Sequence, residues 1–498
     1  MHIAFLNPQG NFDPDDRYWT AHPDFGGQLV YVKEVAQALG RLGHQADILT
    51  RRIVDRDWQG FENRMDHYPG HSNVRVIRLD CGPAGFLRKE LLWPHLNEWT
   101  ENILGFYSQE NRMPDVWTGH YADGGLAGVL ASSTSGRPFT FTGHSLGAQK
   151  LERLLELGDE LAELDRVYHF GARIAAERVV MSRAGRFIVS TRQEQAEQYG
   201  HPWYARAVDA TDSARFVVIP PGVNLALFDW EATNPREKDA QQKVERALAR
   251  DLSPERVALP CVMASARLEP KKNHVGLVRA FLSTPELRTK ANLLFAIRGL
   301  PASLRDTCVA DLDLPSEAEA ILGEIKELAD SHDLWGELAT VSLEGQEELA
   351  ATYRHLAQRH SVFCLPAHHE PFGLAPLEAM AAGMPVVSTR FGGPSESMVD
   401  GAGEYGVLVD PDNACELAAG LLRLLNSEKE WQRFHRAGHQ RVLDRYTWER
   451  TAEGYATACQ ELAGEPLRPN GLPVPAYFMQ PEETAEPAAS DVIGQLLG

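Results

Sequence analysis

Glu370 and Glu378 stand eight residues apart in the stretch HHEPFGLAPLEAMAAGMPVVSTRFGGP. A carboxylate offers two acceptor oxygens, which suits the diol of a ribose or hexose. Phe372, Gly373 and Leu374 lie between them and precede a helix. Backbone N–H groups at a helix start lack intrahelical acceptors, so they can hold a phosphate. Other residues add charge or close backbone approach. Gly26-Gly27-Gln28 opens a helix, and Gly143-His144-Ser145-Leu146-Gly147 follows the apolar run FTFT. Lys89, Lys150, Arg173 and Arg178 are basic positions in FLRKELLWP, GAQKLERLLELG and FGARIAAERVV, and Arg267 and Lys272 lie in SARLEPKKN. Only ten of the 49 basic residues are lysines, and Lys89, Lys150, Lys271 and Lys272 all fall in these motifs. A fixed Arg and Lys can stabilise the negative charge that grows on a departing diphosphate.

The elements that position these residues follow from apolar patterning. SVFCLP (361–366) and PVVST (385–389) are short runs of the kind buried on both faces of a sheet. Pro376 suits the first turn of the helix between them, and Gly383 stops it. Strand-like runs alternate with helical stretches from His2 to Asn7 through ADILT, VRVIRL, FTFTGHS and RFIVST. After FVVIPPGVN, which reads as a hinge, the pattern restarts with CVMASA, ANLLFAIRG, LATVSLEG and YGVLVDP. Such alternation predicts an α/β protein with parallel sheets, whose ligands bind beyond the carboxyl ends of the strands. The predicted divisions are residues 1–220, 221–455 and 456–498. The last comprises a helix and a Pro- and Glu-rich tail expected to be only partly ordered.

Composition narrows the possibilities. A chain of 498 residues fits two cores rather than one. Its net charge of −20 disfavours nucleic acid and anionic membrane surfaces as partners. No apolar run approaches the roughly 18 residues of a membrane span. MHIAFLNPQG reads as a strand rather than a signal peptide. Six scattered cysteines without metal-ligand spacing suit a reducing compartment, and the cytoplasm is the expected location. No cofactor or metal is called for. Asp311 and Asp313 form a D-x-D, but in a charged, helix-rich stretch rather than after a buried strand. GHSLG is a literal G-x-S-x-G, so a serine hydrolase with Ser145 as nucleophile is an alternative of another class. Two strand–helix halves, and no HGGG-type loop upstream, count against it.

EPFGLAPLE resembles the E-x7-E motif of retaining nucleotide-sugar glycosyltransferases with the GT-B fold. HPDFGGQ resembles the PD-x-GGQ of sucrose-phosphate synthases and sucrose synthases. GHSLGAQKLERLLELG resembles the former almost throughout, and SARLEPKKN resembles their S-R-x-x-x-K-K-N. The likeness spans roughly residues 1–460. It implies two Rossmann-like domains facing each other across a cleft, with a C-terminal helix crossing back to the N-terminal domain. The first domain would take fructose 6-phosphate and the second UDP-glucose. The products would be sucrose 6-phosphate and UDP, made with retention by front-face substitution as the domains close. By this resemblance His144, Arg267, Lys272 and Glu370 are catalytic. Gly27, Arg267, Lys272, Glu370, Phe372, Gly373, Leu374 and Glu378 bind the donor. Gly26, Gln28, Lys89, Lys150, Arg173 and Arg178 bind the acceptor, although Arg173 and Arg178 are five apart on one helix and need not face one ligand. A mannosylfructose-phosphate synthase using GDP-mannose, or a sucrose synthase using free fructose, are the alternatives within the same fold.

Overall fold

The computed structural model describes the chain except residues 10, 11, 19–25, 301, 469, 470 and 498, and the side chains of 495–497. The first half of the HPDFGGQ motif, His22 to Phe25, lies outside the described residues. Two compact units emerge, one formed by Met1–Pro221 with Trp448–Gly498 and the other by Gly222–Thr447.

The first unit is built on eight strands: β1 (His2–Leu6), β2 (Gln45–Arg51), β3 (Met65–His67), β4 (Val74–Leu79), β5 (Val116–His120), β6 (Phe139–Thr142), β7 (Arg186–Val189) and β8 (Phe216–Val218). Their order across the sheet is β3-β4-β2-β1-β5-β6-β7-β8, and all pairs are parallel except β3 with β4. Strand residues alternate between two cores, as a period of two requires. Ala4 and Leu6 join Trp117 and Phe141 on one face, and Ile3 and Phe5 join Ile48 and Val76 on the other. The second face is completed by the Trp448–Ala463 helix, through Trp448, Tyr455, Cys459 and Leu462. That helix therefore belongs to the first unit, as the GT-B resemblance implies. The chain returns at Trp448 rather than at residue 456, because Tyr446 still pairs with Val223 in the second unit (2.8 Å).

The second unit carries β9 (Cys261–Ser265), β10 (Asn292–Ala296), β11 (Leu338–Val341), β12 (Val362–Leu365) and β13 (Val386–Thr389). A two-stranded ribbon, β14 (Val399–Asp400) and β15 (Gly403–Glu404), precedes β16 (Val407–Val409). The sheet order is β11-β10-β9-β12-β13-β16, all parallel. Val262 and Ala264 enter one core while Cys261 and Met263 enter the other.

The tail departs from its compositional expectation. Leu472 is tied to Ser182 and Arg183, Phe478 packs on Trp93 at 5.9 Å, and Glu486 meets His169 at 2.7 Å. The final helix, Ala489–Leu497, begins where the Ala489 N–H donates to Asp165 (2.8 Å). Proline-rich chain lacks helix and sheet bonding of its own. Here the side chains of Ser182, Arg183 and Asp165 supply the missing partners.

Close backbone approach sets one limit on the first unit. The Tyr121–Ser135 helix lies so near β1 that a Cβ on Gly124 would overlap the Leu6 carbonyl oxygen. Gly124→Ala should cost about 1–3 kcal/mol, read as a lower urea midpoint. Gly105→Ala has nothing within 4 Å of the added carbon and should be neutral or stabilising by up to about 1 kcal/mol. Equal midpoints for the two variants would contradict this packing.

Candidate active site

In the second unit the sheet changes direction of winding between β9 and β12, which opens a crevice beyond their carboxyl ends. The loop after β9 carries Arg267 and Lys272, and the loop after β12 carries Glu370. Lys272 Nζ and Glu370 Oε2 meet at 2.6 Å, both mostly buried. His368 N–H donates to the Lys271 carbonyl at 2.9 Å, which ties the two loops together. Arg267 is not part of that pair. It is 78% exposed and turns to Glu269 at 2.8 Å.

Two glycines hold Glu370 in place. The loop after β13 runs against it, with Glu370 N–H donating to Phe391 O (3.1 Å) and Gly393 N–H to Glu370 O (2.9 Å). A Cβ on Gly392, at φ +102°, would overlap the Glu370 carbonyl, and one on Gly393 would overlap that of Phe372. Gly373, at φ +93°, caps the Leu374–Ala381 helix and no side chain makes a capping hydrogen bond there, so the N–H groups at the helix start are left for an anion. Glu378 lies on that helix, half-buried, and burial pushes its carboxyl up to about 7. Beside these residues is a cavity of about 590 Å³ lined by Ser265, Arg267, Glu269, Ile297, Arg298 and Leu343. Its far wall stands at the ends of β10 and β11, which sequence reasoning did not use. The arginine following ANLLFAI was the available signal. Asp311 and Asp313 are exposed.

In the first unit, the neighbouring strands β5 and β6 deliver two histidines side by side. His120 Nδ1 and His144 Nε2 are 2.8 Å apart with stacked rings. Tyr31, on the Gly27–Arg41 helix, meets the His144 ring edge-on at 5.0 Å. Burial pushes His144 down to about 3 and His120 well below its ordinary value, so both rings are neutral at pH 7. His144 adopts φ +55°, so the strained turn carries the histidine and not Ser145. The Leu146 N–H, which a hydrolase would keep for its oxyanion, instead donates to Gln198 (3.2 Å). No imidazole–Ser145 hydrogen bond is found among the described residues, and the hydrolase alternative loses its geometry.

Gly26 and Gly27 lead the Gly27–Arg41 helix, and the Gln28 amide donates to Asn7 at the end of β1. Lys89 and Arg173 line one small recess with Gln9, Trp93, Asp123 and Tyr168. Lys150 is outside it but sits over the Tyr168 ring at 5.2 Å. Arg178 does not join them. Its guanidinium is spent on the Trp203 and Ala205 carbonyls, on another face of the helix, so its reading as an acceptor ligand fails. Glu177 was missed: fully buried, it accepts from Arg173 Nε (3.0 Å), Gly147 N–H (3.0 Å) and Tyr204. It orients Arg173 and fixes the start of the Gly147–Glu156 helix.

Comparison with known proteins gives the family and the fold. Residues 26–222 match the family described as "Glycosyl transferase 4-like domain", and 250–441 match "Glycosyl transferases group 1". A Thermosipho melanesiensis protein named probable sucrose-phosphate synthase is 38% identical over 455 residues, 91% of this chain and 95% of the relative. A rice protein named probable sucrose-phosphate synthase 4 is 32% identical, but the aligned region is 46% of its length. The chain thus spans about half of such plant relatives. Among solved structures, sucrose-phosphate synthase from Thermosynechococcus elongatus aligns over 92% of this chain and 98% of its own, at 24% identity and a TM-score of 0.63. The Anabaena protein HepE in complex with UDP-glucose aligns over 93% and 100%, at 15% identity and a TM-score of 0.56. Both structures share the GT-B fold. No helix among the described residues is long and apolar enough to cross a membrane.

The Glu378 carboxyl generates a pH dependence with a definite sign. Native Glu378 keeps its proton up to about 7, while the unfolded chain releases it near 4.5. The native state binds more protons within that window, so stability falls as pH rises through it. Glu378→Gln removes the penalty. It should be more stable than the parent at pH 8, by at most about 3 kcal/mol, with the gain gone by pH 4. Melting curves at both pH values test this, and a gain independent of pH would contradict it.

Proposed function

This chain belongs to the sucrose-phosphate synthase family and is a nucleotide-sugar-dependent hexosyltransferase, and we propose that it transfers glucose from UDP-glucose to fructose 6-phosphate with retention, giving sucrose 6-phosphate and UDP. The observation that carries the choice of a phosphorylated acceptor is the gathering of Lys89 and Arg173 on one recess, with Lys150 on its Tyr168 wall. A chain of net charge −20 repels phosphorylated ligands at long range, and a local cationic pocket offsets that. Free fructose carries no anion for this basic cluster of Lys89, Lys150 and Arg173 to bind.

The second unit supplies the donor site in this reading. Glu378 accepts the ribose hydroxyls, and the uracil enters the cavity beside Arg267 and Arg298. The diphosphate meets the helix start at Gly373 and Leu374 and draws Lys272 from Glu370. Arg267, exposed beside Glu269, swings to the same anion. Negative charge grows there as the glycosidic bond breaks, so these cations act chiefly in the transition state. Glu370, released from Lys272, accepts hydroxyls of the glucose. The departing phosphate takes the proton of the attacking fructose hydroxyl on the same face. Neutral His144, with Nε2 held by His120, packs beside the sugar instead of exchanging a proton. Six unbridged cysteines, four of them buried, support a place in the cytoplasm.

Purified protein assayed against UDP-, ADP- and GDP-sugars, with fructose or fructose 6-phosphate, tests the substrates directly. Release of UDP only with UDP-glucose and fructose 6-phosphate is expected. Preference for free fructose, or for GDP-mannose, would overturn the assignment.

Two substitutions separate the halves. Lys150→Ala should raise the KM for fructose 6-phosphate by about tenfold or more, through loss of a charge-assisted bond worth about 1.5–3 kcal/mol, and leave that for UDP-glucose within about twofold. Lys272→Ala should lower turnover at saturation on the order of a hundredfold. Turnover within about threefold of the parent would make Lys272 a mere partner of Glu370.

A further inference from the structure

The recess in the first unit holds a carboxylate that the cations around it do not explain. Asp123 stands in the first turn of the Tyr121–Ser135 helix and is only 4% exposed. Its Oδ1 accepts from the Gly124 N–H at 2.8 Å and from the Gln9 amide at 3.4 Å. Its Oδ2 is buried and has no hydrogen-bond partner among the described residues. A helix-start aspartate can use one oxygen for its own backbone, and Oδ1 does so here. A second oxygen left unpaired inside the protein costs about 1–3 kcal/mol, so it needs a donor from elsewhere.

The chemistry of the recess selects that donor. Its charged lining is Lys89, Glu90, Arg173 and Asp123, with Gln9, Trp93, Tyr121 and Tyr168 completing the wall. Lys89 reaches Glu90 at 3.2 Å, and Arg173 donates to Glu177 and to the Ser145 carbonyl, so neither cation bonds Asp123. The recess has about 40 Å³, a few times the roughly 10–15 Å³ that one water requires. It takes the end of a ligand and not a whole sugar ring. Burial pushes the Asp123 carboxyl up to about 7, so above that pH its Oδ2 is an acceptor only, and a phosphate dianion, which also carries acceptors only, cannot satisfy it. A sugar hydroxyl can.

We propose that Asp123 is a specificity-determining residue of the acceptor site, whose Oδ2 accepts a hydrogen bond from one hydroxyl of the phosphorylated ketohexose bound beside Lys89 and Arg173. This rests on the reading of the first unit as the binder of a phosphorylated acceptor. Asp123 then reads the sugar while the cations read its phosphate, and a ligand with phosphate but no matching hydroxyl is rejected. Such rejection is strong in kind, because the buried oxygen is again left unpaired.

The test measures kcat/KM for fructose 6-phosphate and for a set of its deoxy analogues, each lacking one hydroxyl, with the parent, Asp123→Ala and Asp123→Asn. The parent should lose about tenfold to a hundredfold on one analogue, the range for a hydrogen bond to a charged group. Asp123→Ala should lose a similar factor on fructose 6-phosphate yet less than about threefold on that analogue. KM for UDP-glucose should stay within about twofold. Asp123→Asn keeps the shape of the side chain and an acceptor oxygen, so it folds if Ala does not, and it should fall between. An equal loss on every analogue, or an equal loss toward UDP-glucose, would assign Asp123 to the helix start alone and overturn the proposal. A parent that prefers free fructose would instead overturn the phosphorylated-acceptor reading, and this proposal with it.

Discussion

Parallel pairing constrains everything else in this molecule. A parallel strand needs a crossover to reach its neighbour, and the crossing helices cover both faces of the sheet. Ile3 and Phe5 face one core while Ala4 and Leu6 face the other, so β1 has no face left for water. The same holds for Cys261 to Ala264 in β9. Polar chemistry is driven off the strands and onto the few residues beyond their carboxyl ends. Asn7, His144, Arg267, Lys272 and Glu370 all stand there, and His120 is the last residue of β5. The units thus solve one problem twice, and the difference between them lies in what the loops present. One offers neutral histidines and a cationic recess, the other a carboxylate–lysine pair at an open helix start.

Much of this is legible from the chain, and the reasons are local. SVFCLP and PVVST are apolar enough to fix two strands, and the glutamates between them follow from their spacing. Scarcity of lysine singled out Lys89, Lys150 and Lys272 without any knowledge of the fold. The misses are long-range. Nothing in AERVV says that Glu177 will turn to Gly147 and Tyr204, or that Arg178 will spend itself on two carbonyls. The pairing of Lys272 with Glu370 joins residues 98 apart, and spacing along the chain carries no such information. Asp123 sits inside a glycine-rich helix start, where an acidic residue is ordinary, and its unpaired oxygen is visible only in three dimensions. The tail misled for a different reason: proline content reports on local bonding, whereas its order comes from Asp165, Ser182 and Arg183.

Electrostatics and burial act in opposite directions at the two sites. Burial keeps His144 and His120 uncharged and raises Glu378 and Asp123 to about 7. Lys272 and Glu370 instead meet each other as an ion pair at 2.6 Å. A polyanion entering such a pair competes for the lysine and frees the carboxylate for hydroxyls in one event.

The first unit draws its second core face from a helix that begins only at Trp448, after the whole of residues 222–447. On the ribosome, therefore, Ile3, Phe5 and Tyr31 emerge long before Tyr455 and Cys459 exist to cover them. At typical elongation rates that interval is on the order of twenty to ninety seconds. The intervening unit has its own cores and can be complete while the earlier one still shows an apolar face. The nascent chain thus passes through a stage that is half finished and half adhesive, and birth order, more than final stability, sets when it most needs protection from its neighbours.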